Sequence, residues 1–133
     1  MIKEAYVSFE TAKLLKEKRF PQDPNICNTA YTTKGKFSNN AKSFAFYYEL
    51  IKPRAYYTAP TQAMTMKWLR KVHNLCIEIY VIKKYDKKIC KYAYTLMDLN
   101  FPGSDDGIEC CNEYETYEQA CEAAIKYCLE NFV

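Results

Sequence analysis

The chain has 133 residues, 49% of them hydrophobic, with 19 Lys or Arg against 16 Asp or Glu for a formal net charge of +3. That is enough chain to bury a core without metal or disulfide staples, and it reads as a single domain over residues 1–133. No stretch reaches the apolar length of a membrane span, and the opening MIKEAYVSFE is charged within its first four residues, so no membrane partner is expected and the cytoplasm is the expected location.

Seven cysteines, an odd number without a secretory leader, are expected to be reduced thiols. The thirteen tyrosines suit either a half-buried sheet or a binding face, because Tyr joins apolar area to a hydroxyl. Charge is unevenly spread. Residues 1–97 hold 18 basic and 7 acidic side chains, while residues 98–133 hold 1 and 9. Such a division fits a basic binding surface or an acidic helix lying near basic strands.

In chain order, Ser8 predicts a helix N-cap, with Phe9, Ala12 and Leu15 on one side of a helix running to about Arg19, closed by Pro21 and Pro24. Thr29–Thr33 and Phe37 can pair as a short hairpin about Lys34, Gly35 and Lys36. Residues 43–51 are ambiguous: Phe44, Phe46, Tyr48 and Leu50 alternate as in a strand, yet Ser43 could cap a short helix, and strand is favoured.

A second helix is predicted from near Pro60 to Asn74, with Met64, Trp68, Leu69 and Val72 as its core stripe and Lys67, Arg70 and Lys71 outward. Asn74 suits a left-handed C-terminal cap. Leu75–Lys84 and Ile89–Leu99 alternate about a polar break and form the clearest antiparallel hairpin. Phe101–Asn112 is a loop. Thr116 and Gln119 form a capping box opening the last helix, whose apolar face runs from Tyr117 through Cys121, Ile125 and Cys128 to Phe132.

His73 is the one histidine. At a helix C-terminus its protonated form would be favoured, but nothing in the spacing orients it for catalysis with Cys76, and no catalytic residue is assigned. The run Asp98–Glu109 fits a calcium-loop template only in part: Pro102 stands where an oxygen ligand belongs, and an acidic turn is the better reading. No paired Cys spacing indicates a metal, and no glycine-rich phosphate loop indicates a cofactor; none is expected.

The sharpest binding feature is the hairpin tip, where Lys83, Lys84, Lys87, Lys88 and Lys91 mingle with Tyr85 and Tyr92. Lysines can meet phosphates while tyrosines stack on bases, although a charged tip also protects a sheet edge.

The segment Ala59-Pro60-Thr61-Gln62 with Trp68-Leu69-Arg70 and His73-Asn74, the run Tyr117–Leu129, and the opening Tyr6–Leu15 resemble a group of small uncharacterised proteins from gut Bacteroidales and their phages and mobile elements. The resemblance covers under half the chain and implies a source, with phage–host contest as a setting, and no activity.

The expectation is an α+β fold, a small mostly antiparallel sheet with two or three helices packed on one face. The leading function is a non-enzymatic binding protein that recognises a protein, nucleic acid or nucleotide through the hairpin. The alternatives are an enzyme with a site around His73 and a self-associating protein, a possible homo-oligomer.

Overall fold

A computed structural model describes residues 3–43, 56–83, 90–100, 107–109 and 112–133. The fold is α+β with small antiparallel sheets, as the patterning predicts. The strands fall into two sheets, and the chain divides into two compact units, residues 1–61 and 62–133.

In the first unit Ser8 caps α1 (Phe9–Glu17), its Oγ accepting the Thr11 N–H at 3.2 Å. The helix buries Thr11, Ala12 and Leu15. It stops short of the predicted end because Arg19 turns left-handed, φ 67°. The Arg19 N–H bonds to the Lys16 carbonyl at 3.2 Å and the Phe20 N–H returns to Leu15 at 2.8 Å, which satisfies carbonyls that a helix end leaves open and brings Phe20 inward. Three strands follow, β1 (Ala30–Thr32), β2 (Phe37–Ser38) and β3 (Tyr56–Thr58), in the order β2-β1-β3. The predicted hairpin about Gly35 is present. Val7 donates to the Pro60 carbonyl at 3.0 Å and Thr29 Oγ1 to the Ala59 carbonyl at 2.6 Å, so the unit's two ends are tied to each other and the later one to its middle. Residues 41–43 are helical; the rest of the segment left open between strand and helix, 44–51, lies outside the described residues.

The second unit runs through α2 (Gln62–His73), β4 (Leu75–Lys83), β5 (Cys90–Asp98), β6 (Ile108–Glu109) and α3 (Tyr117–Asn131), with strand order β4-β5-β6. Asn74 adopts φ 55° and ends α2, as its chemistry predicts. Asn100 Nδ2 donates to the His73 carbonyl at 2.9 Å and to Asp98 Oδ1 at 2.9 Å. Two residues of the calcium-like run thus close a helix end. The hairpin pairs Leu75 with Asp98 through Lys83 with Cys90 without a break. Thr116 and Gln119 make the predicted capping box on α3.

The inner face of α2 differs from the predicted stripe. Gln62, Thr65 and Leu69 are buried, while Met64 is 39% and Val72 59% exposed and Trp68 is half-buried. Polar Gln62 can face inward because its amide donates to the Glu118 carbonyl at 3.0 Å and to Glu122 Oε2 at 3.3 Å, joining α2 to α3. On α3, Ala120, Cys121, Ala124, Ile125, Cys128 and Leu129 form the buried face. Burial pushes the Cys128 thiol up to about 12 and that of Cys121 up to about 11. The described cysteines are free thiols, and no described helix is long and apolar enough to cross a membrane.

Candidate nucleic-acid interface

The first unit brings five aromatic rings together from separate stretches of chain. In its sheet Tyr31 lies directly opposite Phe37 on one side and Tyr57 on the other. Directly opposed residues project to the same face, so the register alone lines three rings across the sheet. The Tyr31 and Phe37 centroids are 5.5 Å apart at 67°. Phe9, at the start of α1, meets Tyr31 and Tyr57 edge-on, each at 5.6 Å. Tyr6 tilts against Phe37 at 5.1 Å and 54°. Edge-on and tilted contacts of this kind are worth about 0.5–1.5 kcal/mol each beyond the area buried.

Lysines flank the rings. Phe9, Lys13 and Lys16 share one side of α1 by their spacing. Lys13 Nζ sits 4.6 Å from the Phe9 centroid, and Lys16 Nζ sits 4.8 Å from that of Tyr57 while donating to the Tyr56 carbonyl at 2.8 Å. The hairpin turn adds Lys34 and Lys36, both exposed, held by Thr32 Oγ1, which accepts the N–H of each at 3.2 and 3.0 Å. Gly35 between them has φ 85°, and a β-carbon there would stand 3.3 Å from the Phe9 ring. Only glycine suits both the turn and that close approach.

Phe9, Tyr31 and Tyr57 are half-buried and hold α1 to the sheet, whereas Tyr6 and Phe37 are 41% and 40% exposed. The cluster therefore has a structural floor and an accessible rim. Residues 1–61 carry 10 Lys or Arg and 5 Asp or Glu, a formal +5, while residues 62–133 carry 9 and 11, a formal −2. The basic excess belongs to the unit that carries the Tyr6–Phe37 pair.

Of the hairpin residues singled out in the sequence, Lys84, Tyr85, Lys87 and Lys88 lie outside the described residues. Lys83 is exposed at the end of β4. Lys91 forms an ion pair with Glu115, and Tyr92 packs edge-on against Tyr117 at 6.2 Å. Near the turn of the hairpin the charge of Lys91 is thus balanced within the unit.

His73 is half-buried, and its ring meets that of Trp68 edge-on at 4.6 Å. Its Nε2 is cut off from water and has no hydrogen-bond partner among the described residues. Burial lowers its pKa, the direction opposite to that expected from a helix C-terminus alone. Trp68, expected to anchor the core, instead covers this imidazole.

The signal for the ring cluster was present in fragments: Tyr31 and Phe37 flank a Lys-Gly-Lys turn, and Phe9, Lys13 and Lys16 fall at helical spacing. No protein-family model matches the chain, and no curated protein or solved structure matches it either.

Proposed function

We propose that this is a non-enzymatic binding protein whose first unit takes single-stranded nucleic acid. Tyr6 and Phe37 stack on bases while Lys34 and Lys36 meet phosphates. Stacking is sequence-tolerant because every base has a π-face, and lysines add an attraction that salt weakens. The observation that carries the reading is the exposed Tyr6–Phe37 pair, 5.1 Å apart, next to the Lys34–Lys36 turn in a unit of formal +5. The resemblance of the Tyr6–Leu15 and Tyr117–Leu129 runs to Bacteroidales, phage and mobile-element proteins suggests the phage–host contest as its setting.

Gel mobility of single-stranded and duplex oligonucleotides at rising protein concentration tests the proposal. Retardation of the single strand in preference to duplex is expected, and unchanged mobility of both would refute it. With two phosphates neutralised, affinity should fall by about 1.4 decades per decade of added salt.

A further inference from the structure

We propose that two copies of this chain join through the outer edge of β4, in an antiparallel pair centred on Ile79. The polarity of β4 follows from its neighbours. The Leu99 N–H donates to the Asn74 carbonyl at 2.8 Å, and Tyr92 and Tyr114 exchange two bonds of 2.9 and 2.7 Å across the far side of β5. Hydrogen-bonded and non-bonded pairs alternate along an antiparallel ladder. In the observed register, Cys76, Glu78, Tyr80 and Ile82 therefore aim their N–H and C=O groups at β5. Leu75, Ile77, Ile79, Val81 and Lys83 aim theirs away from the sheet, where no described strand lies.

From Leu75 to Ile82 this edge carries no proline, no bulge and no clustered charge, the devices that usually prevent pairing. β4 is nine residues long, its register is unbroken, and Glu78 is the one charge before Lys83. A two-fold axis at Ile79 sets outward-aimed residues opposite one another along the full strand: Ile79 faces its own copy, Ile77 faces Val81 and Leu75 faces Lys83. That register closes about ten new backbone hydrogen bonds. It also keeps the two apolar faces on the same side, because the side-chain period is two. Val81, 51% exposed, gains Ile77 of the second copy as its cross-strand neighbour. On the other face Glu78 meets Tyr80 and Cys76 meets Ile82, so no like charges stand directly opposite.

Light scattering on the full chain across a concentration series tests this, together with amide exchange read residue by residue. The expected mass is twice the 15.6 kDa of the chain. Val81→Lys should return it to the single-chain value with an unaltered circular dichroism spectrum. In the concentrated wild-type protein the amides of Ile77, Ile79 and Val81 should exchange about tenfold or more slowly than in the dilute one. Those of Glu78 and Tyr80 should be protected in both. This exchange pattern decides the matter even where Val81→Lys fails to fold. A single-chain mass at every concentration would overturn the inference. So would a dimer in which the Ile77, Ile79 and Val81 amides stay unprotected, or one that survives Val81→Lys.

Discussion

Tyr6 and Phe37 hold their rings 5.1 Å apart at the rim of an aromatic cluster whose other members are half-buried. The two rings come from opposite sides of α1 in the chain, and neither stands beside its partner in sequence. Their exposure separates binding from stability: truncating either removes stacking surface while leaving the floor of Phe9, Tyr31 and Tyr57 in place.

Gly35→Ala is expected to behave in the opposite way. It forces a side chain into φ 85° and against Phe9, and should cost about 1–2 kcal/mol of stability, the usual penalty for a left-handed non-glycine residue. A urea titration of wild type and variant measures this, and an unchanged midpoint would contradict the assigned turn.

Arg19→Gly should stabilise the protein by about 0.5–1 kcal/mol. Arg19 ends α1 at φ 67°, a position that glycine fills without steric cost. A raised urea midpoint with an unchanged slope is the expected result.

The helix caps show what local chemistry made legible. Ser8, Asn74 and the Thr116–Gln119 box act as read, because capping depends on residues within one turn of each other. The β4–β5 hairpin was legible for a similar reason, since its alternation runs unbroken on both sides of one turn. The inner face of α2 was not. Hydropathy favours Met64, Trp68, Leu69 and Val72, yet Leu69 alone of these is buried, beside Thr65 and Gln62, the last held inward by hydrogen bonds to a helix more than fifty residues later. The Tyr6–Phe37 rim was hidden for a similar reason, since it joins a residue before α1 to one on β2.

His73 gives a pH dependence whose sign follows from its lowered pKa. The unfolded chain takes up the proton first, near its ordinary value of 6.5. The folded state's preference for neutral imidazole therefore contributes stability above that value, and the contribution is lost as pH falls through the folded pKa. His73→Gln should flatten this part of the curve. Urea midpoints measured between about pH 7.5 and pH 5 for both proteins check it; parallel curves would exclude the role.

Thiol reactivity should follow burial. Cys90 is exposed, whereas Cys121 and Cys128 are buried and hold their protons to about 11 and about 12. Because the thiolate is the reactive form, peptide mapping after brief treatment with iodoacetamide near pH 8 should find Cys90 modified. Cys121 and Cys128 should be spared until urea is added. Early modification of Cys128 would contradict the packing of α3.

The most direct test of the proposed function is fluorescence anisotropy of a labelled single-stranded oligonucleotide with wild type, Tyr6→Ala and Phe37→Ala. Base stacking on an aromatic ring is worth about 1–3 kcal/mol. Saturable wild-type binding is expected, weakened about fivefold or more by each substitution, with the thermal melt preserved. Absence of binding, or binding that neither substitution alters, would contradict it.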